Sequence, residues 1–566
     1  DVDLTIILSS ICALFFTLFV LAVSISNFSR SGPAIKDEVI SSYKVELLTS
    51  LLKLSFWCFV LAWYWACWGG VTYYSLSVLL DYKFSITGAL VFSIFGIFIA
   101  SAGRFMWVLL YSPAIINTSF NYSTHRLISI WQHLTPRRLS IMLWFLIGTP
   151  LIILFSSVVL LWTSQQYSNA VIIVIITFLL TAIGVLATYN PKPPIKQSNT
   201  SLRKNIIMIG SDTLRADRVG DSDYQRKLTP FIDEFMKSAA KFSNCYVPCA
   251  RTAPSIASML TGSWPYRHGV RDNFVSDKDT NLSIQALPSL LKDNGWQTSA
   301  ISDWSGSDLG KFNYGFDKKD LPGDQWNIKY LLRQGPKEIR LFLSLFGHNR
   351  WCKKFLPELY YLAGIPLNKQ IVSKALREIN RLGSSDTPFF LNIFMATTHP
   401  PFGTEYPYYN MYSKSAYNGN SKFVMAGMDD PSEIIKQQGG SREEFDLDQI
   451  IDLYDGCVSN FDNEVASIIN HVDKCGLSDN TIIVLYSDHG FEFFEHNTWG
   501  QGNSEFTDAS AKIPLIIKTP ELEQSLNIKN IVRSIDIAPT LLELTGIKIP
   551  KEWDGSSLIS YLTDVE

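Results

Sequence analysis

No internal repeat, long low-complexity tract or block of like charge occupies this chain of 566 residues. The net charge is only −3, which removes any general attraction to nucleic acid. Cysteine is sparse, and the eight residues fit neither a zinc ribbon nor a redox motif. Cys12, Cys58 and Cys67 lie in apolar runs and read as small buried hydrophobes. Cys245, Cys249, Cys352, Cys457 and Cys475 lie in the more polar remainder. Five is odd, so at least one is unpaired or pairs outside the chain. Cys245 and Cys249 are close enough for a short bridge, and two free thiols are the alternative. The first apolar run has no A-x-A cleavage site after it and is too long for a signal-peptide core.

Apolar residues are unevenly distributed. Residues 1–190 are dense in Leu, Ile, Phe, Trp and Val, whereas 200–566 read as a soluble protein. A bilayer core needs about 20 apolar residues in helical form. Five stretches qualify, roughly 4–28, 54–80, 86–112, 140–162 and 170–189. The expected domains are an α-helical transmembrane domain of five helices (1–189), a linker (190–204) and a catalytic domain (205–566). Arg104 falls inside a span, and its long side chain is expected to snorkel to the interface rather than face a polar cavity. The connection 113–139, with His125, Arg126, His133, Arg137 and Arg138, is either an amphipathic interfacial helix or a solvated connector. The linker NPKPPIKQSNTSLRK holds three prolines and no hydrophobic periodicity.

The soluble part opens with NIIMIGSD, an apolar run of the kind a buried parallel strand shows. TPFFLNIFMATTHP and NTIIVLYSDHG repeat the pattern, with helical stretches such as LDQIIDLYDGCVSNFDNEVASIINHV between them. Strands alternating with helices predict an α/β domain with a mainly parallel central sheet. Sites in such sheets gather beyond the carboxyl ends of strands, where Asp212, His399, Asp488 and His489 fall. Asp212 with Asp488 and His489 is a plausible ligand set for zinc or manganese. Singly, each residue is explained as well by a turn, a cap or a structural role. Thr252 precedes a helix expected to begin near Pro254. Locally it reads as an N-cap, yet a hydroxyl at a helix N-terminus beside a cation is also placed for nucleophilic work.

Several motifs carry a family resemblance. IIMIGSDTLRADRVG resembles the opening strand of sulfatases, where an Asp pair binds metal. TAPSIASMLTGSWPYRHGV resembles the sulfatase signature, and THPPF, LYSDHGFEFFEHNTWGQGNSEF, IVRSIDIAPTLLELTGI and WDGSSL resemble later segments in order. Over roughly 203–560 the chain is identified as a member of the alkaline phosphatase/sulfatase superfamily. The departures bear on chemistry. Sulfatases oxidise a Cys or Ser to formylglycine where this chain has Thr252. The signature Arg is Ile256, the second Asp of the opening pair is Thr213, and the expected Lys near Asp-His-Gly is Gln501.

A Thr nucleophile with acidic and Asp-His ligands resembles the membrane phosphoethanolamine and phosphoglycerol transferases. That resemblance implies Asp212, Thr252, Asp488 and His489 on one metal, with Thr252 as catalytic nucleophile. His399 would contact phosphoryl oxygens, and Gln501 or His496 would stand where transferases often carry a His. It implies a phospholipid headgroup donor, an envelope glycan or lipid acceptor and no nucleic-acid partner. A phosphodiesterase or atypical sulfatase is the alternative. It also implies a bacterial cytoplasmic (inner) membrane with the catalytic domain on the outer face. Charge points the other way: segments 29–53, 113–139 and 190–204 carry eleven Lys and Arg, against only Lys83 on the expected inner side. Protease added to intact spheroplasts is expected to cut 190–204 and release the domain. Protection until the membrane is broken would reverse the assignment.

Overall fold

The structure, a computed structural model, describes residues 2–29, 44–120, 124–188, 203–220, 223–273, 280–321, 337–356, 359, 368–425, 442–502 and 507–563. The linker 190–204 lies almost wholly outside them. The helices used below are α1 (Val2–Ser29), α2 (Lys44–Leu79), α3 (Ile86–Tyr111), α4 (Pro136–Thr163), α5 (Tyr167–Thr188), α6 (Thr252–Thr261), α7 (Lys337–Gly347), α8 (Asn368–Gly383) and α9 (Leu447–Lys474). The chain divides into two compact units, 1–191 with 326–363, and 192–325 with 364–566.

In the first unit, α1 to α5 are long and apolar enough to cross a membrane. Their bounds match the expected spans, except that α2 begins ten residues earlier. Helix starts are set locally. Ser85 Oγ accepts from Gly88 N–H at 3.4 Å before α3, and Thr135 Oγ1 accepts from Arg138 N–H at 3.2 Å before α4, with Pro136 in the first turn. Small residues let α2 and α3 touch, since a Cβ on Gly69 would lie 2.0 Å from Phe92 O. The connection after α3 is helical in short pieces, Ala114–Phe120 and Ile128–Trp131.

Residues 326–363, expected in the catalytic domain, belong instead to this first unit. Ile339, Phe342 and Leu343 of α7 share a core with Val20, Leu54, Cys58 and Ile97 of the bundle. Along α7 the partners move down α1: Glu338 meets Asn27, Ile339 N–H donates to Ser24 Oγ at 3.2 Å, and Phe342 lies 5.0 Å from Phe16. Phe346 then reaches Trp65 at 5.6 Å, while Phe355 returns to Trp57 at 5.5 Å. Residues 337–355 therefore form a helical hairpin packed on the bundle, its α7 arm about 16 Å long by helical rise. Arg104 is tied to this hairpin: its Nε–H donates to Leu345 O at the end of α7, and its guanidinium lies 4.1 Å over Trp107. Because this stretch returns to the bundle, a cut in 190–204 alone leaves the second unit tethered, which corrects the simple release expected above.

The second unit is built on an eight-stranded sheet. Its strands are β1 (Asn205–Ser211), β2 (Ala240–Tyr246), β3 (Gln297–Ser302), β4 (Lys318–Asp320), β5 (Phe389–Met395), β6 (Thr481–Ser487), β9 (Lys512–Lys518) and β10 (Leu526–Arg533), with β7 (Glu492–Phe493) and β8 (Trp499–Gly500) in a separate ribbon. The order is β10-β2-β9-β6-β1-β5-β3-β4, parallel except for β9 against both neighbours. This is the expected mainly parallel α/β arrangement. β1, β5 and β6 are buried at every residue, which explains why they read as unbroken apolar runs. No disulfide links any of the eight cysteines among the described residues, so the Cys245–Cys249 bridge is not formed.

His268 in the stretch Trp264–Gly269 joins α6 to the turn after it. Its Nδ1 accepts from Val270 N–H at 3.1 Å, leaving Nε2–H to donate to Ser258 Oγ at 2.9 Å. Burial pushes its pKa down to about 4. A histidine held neutral stabilises the fold fully above its unfolded pKa of about 6.5, and that contribution fades as pH falls toward 4, by about 3 kcal/mol at most. The melting-temperature gap between wild type and His268→Gln should be widest at pH 7.5 and narrow at pH 5. A gap independent of pH would reject the neutral assignment.

Candidate metal centre and nucleophile

The centre is assembled at the carboxyl ends of the two middle strands. The ladder continues one residue past β1, with Asp212 N–H donating to Met395 O at 2.8 Å. Gly210 precedes it because a Cβ there would meet the Tyr486 ring at 2.5 Å. After β6, Gly490 turns against Ala509, whose carbonyl oxygen would lie 2.0 Å from an added Cβ. Two turns are thereby fixed side by side, one carrying Asp212 and the other Asp488 and His489.

One atom of each side chain faces a common point. The candidate ligand atoms of Asp212, Asp488 and His489 lie within 4.8 Å of one another, all buried. His489 Nε2 is 3.2 Å from Asp488 Oδ2 and 3.8 Å from Asp212 Oδ1. The other ends are committed. Asp488 Oδ1 accepts from Thr213 N–H at 3.1 Å and His489 N–H at 2.9 Å, and His489 Nδ1–H donates to Gly490 O at 2.9 Å. Asp212 Oδ1 and Asp488 Oδ2 are buried with no hydrogen-bond partner. Burial, reinforced by the charges of Asp488, Asp303 and Asp308, holds the Asp212 carboxyl well above the usual range. Two orphaned carboxylate oxygens and an imidazole lone pair are the donor set a divalent cation requires, so the residues present fit a metal.

Thr252 is the first residue of α6, not its N-cap; Arg251 occupies that position. The helix begins two residues earlier than Pro254 suggests. The Thr252 hydroxyl is buried and lies 3.4 Å from His489 Nε2. The start of α6 is held by Asn273 Oδ1, accepting from Ala253 N–H at 2.9 Å, and by Ser255 Oγ, donating to Asp488 O at 2.6 Å. The positive helix end and the cluster thus face the same hydroxyl. All four expected metal residues come together.

His399 and Gln501 adjoin each other, with Gln501 Nε2 3.4 Å from His399 Nε2. His399 Nδ1–H donates to Pro400 O at 2.6 Å, and burial, with the neighbouring His489, pushes its pKa down to about 4. His496 is half-exposed and held by Glu492 at 3.2 Å, with no described bond to the cluster. Thr213, in the place of the second signature Asp, sits at φ 60° and donates its hydroxyl to Thr398 O at 2.5 Å. Ile256 is core. Residues not singled out from the sequence also appear. Trp304 packs edge-on to His399 at 4.8 Å, and its buried indole N–H has no partner. Asp303, pushed up to about 6 by burial, accepts from Ala396 N–H at 3.0 Å. Asp303 ends β3 in the manner of Asp212, a signal the sequence did offer.

Residues 204–547 match the family model described as Sulfatase. The ulvan-active sulfatase of Formosa agariphila is 24% identical over 67% of this chain and 69% of its own length. The multifunctional alkaline phosphatase superfamily protein PehA of Trinickia caryophylli is 24% identical over 64% of this chain and 77% of its own. The crystal structure of a phosphonate monoester hydrolase of Agrobacterium radiobacter superposes with a TM-score of 0.48 at 20% identity, covering 64% and 77% of the two chains. Substituting Asp488→Asn keeps the acceptor for Thr213 and His489 N–H while deleting the charge. Metal affinity, measured by elemental analysis after dialysis, should fall by more than the roughly 10–100-fold cost of losing a supporting residue. Near-UV circular dichroism should be unchanged, and full metal occupancy would reject the centre.

Proposed function

The chain belongs to the sulfatase family, and from that premise we propose a metal-dependent transferase that moves a phospholipid headgroup to an envelope glycan or lipid. The observation that carries this reading is the Thr252 hydroxyl, fixed on the cluster at 3.4 Å from His489 Nε2. A threonine cannot become the formylglycine aldehyde of an ordinary sulfatase, but it can form and release a phosphoester. The five apolar helices support a donor that resides in the membrane.

Asp212, Asp488, His489 and Thr252 would hold zinc or manganese. A bound cation would lower the hydroxyl pKa and neutralise phosphoryl charge. Thr252 Oγ forms a bond to phosphorus as the P–O bond to the diacylglycerol breaks, and the hydroxyl proton ends on the departing oxygen. The acceptor oxygen then bonds to phosphorus as the Thr252 Oγ1–P bond breaks, and the acceptor's hydroxyl proton ends on Thr252 Oγ1, giving two displacements in place of one harder step. His399 is neutral, with Nδ1–H committed to Pro400 O and Nε2 accepting from Gln501 Nε2–H, and it would take a hydroxyl proton beside the phosphoryl group once Gln501 gives way. Gln501 orients that ring. A catalytic domain on the outer face of a bacterial cytoplasmic membrane completes the proposal. A hydrolase, with water as acceptor, is the second reading, favoured by relatives named sulfatase.

Wild type, Thr252→Ala and Thr252→Ser are compared on a headgroup-labelled phospholipid and an aryl sulfate. Thr252→Ala should lose transfer by at least about a thousandfold, and Thr252→Ser should keep part of it. A headgroup mass should be found on Thr252 of the wild type. Sulfate release that depends on Thr252, with no headgroup ever on the protein, would establish the hydrolase instead.

A further inference from the structure

In the first unit, a guanidinium within the apolar bundle stands two helical turns from the wall of an apolar groove. Arg104 has no carboxylate partner among the described residues; its Nε–H meets Leu345 O, a helix-end carbonyl worth only a partial charge. Three residues beyond Leu345, at the tip of the hairpin, stands His348. Both its ring nitrogens are closed off from solvent and without a hydrogen-bond partner. Asn349 settles the backbone there: its Nδ2–H donates to Phe346 O and its Oδ1 accepts from Cys352 N–H, both at 3.0 Å. His348 is therefore not needed to close the turn. A guanidinium and an idle imidazole inside an apolar bundle are costly unless an anion meets them.

Along α3, the face that carries Arg104 continues downward through Ile97, seven residues and two turns earlier. That face opens on a groove of about 390 Å³ between α1 and α3, walled by Ile11, Phe15, Phe19, Leu90, Ile94 and Phe98. Phe16 in the same wall packs against Phe342 of α7 at 5.0 Å, which ties the groove to the hairpin. The groove is almost wholly apolar, and Arg104 stands two turns along α3 from Ile97 in its wall.

We propose that this is a phospholipid-binding site: an acyl chain lies in the α1–α3 groove and the phosphodiester sits on Arg104 and His348. The chemistry recognised is a single anionic phosphate joined to a hydrocarbon chain. This inference does not rest on the headgroup chemistry at Thr252 and stands or falls without it.

The test is native mass spectrometry of the detergent-purified full-length chain, in the Thr252→Ala background so that nothing turns over. The probes are phosphatidylethanolamine, diacylglycerol and inorganic phosphate. One phosphatidylethanolamine should be retained per chain, with diacylglycerol at least about tenfold weaker. Ile94→Trp, which fills the groove, and His348→Phe, which removes the tip donor, should each lose it. Arg104→Met should do the same but also uncaps α7, so it is read only beside the other two. Millimolar inorganic phosphate should not displace the lipid. Equal retention of diacylglycerol, unchanged binding in both Ile94→Trp and His348→Phe, or displacement by inorganic phosphate would each overturn the site. Lipid retention with no transfer by the wild type would instead reject only the transferase reading.

Discussion

Everything in the second unit is arranged around two buried carboxylates that repel one another. Asp212 and Asp488 aim unpartnered oxygens at one point beside the His489 lone pair. Left alone, such groups would separate, take up protons or admit water. The frame prevents separation. Tyr454 accepts from Arg215 N–H at 2.9 Å and donates to Thr213 O at 2.8 Å, while Arg215 donates to Phe491 O at 3.0 Å. The turn after β1 is thereby fastened to the turn after β6. With the repulsion already built into the fold, a cation would meet a preorganised site and would not have to gather its ligands.

The same frame bears on the role proposed for Thr252. An isolated hydroxyl is a weak nucleophile, and α6 contributes the positive end of its dipole as well as the residue itself. Ser255 and Asn273 fix the register of that helix against Asp488 and the following loop. The oxygen is therefore delivered by a rigid element and not by a loop.

Legibility followed the range of the interactions. β1, β5 and β6 could be read because both faces are buried, and Asp212, Asp488 and His489 because strand ends in a parallel sheet converge. The five apolar helices could be read from length and composition. The partner of Arg104 is the carbonyl of Leu345, 241 residues away, which no local pattern reveals. α7 is amphipathic by spacing, with Ile339, Phe342, Leu343 and Phe346 on one face, but the pattern says only that a partner exists, not that it is an apolar bundle. The antiparallel β9 resembles its parallel neighbours because all are buried. Trp304 was missed because an aromatic after a strand is ordinary in a core.

The hairpin also orders events during synthesis. β1 pairs with β6 on one side and β5 on the other, and both are encoded after residue 363. When residues 337–355 leave the ribosome, the central strand has neither neighbour. The apolar face of α7 has its own partners complete, since α1 to α3 precede it. Chains fold as units from the N-terminus where they can. The excursion onto the bundle is thus available as an early anchoring event, and the halves of the sheet then close from either side of a point already secured.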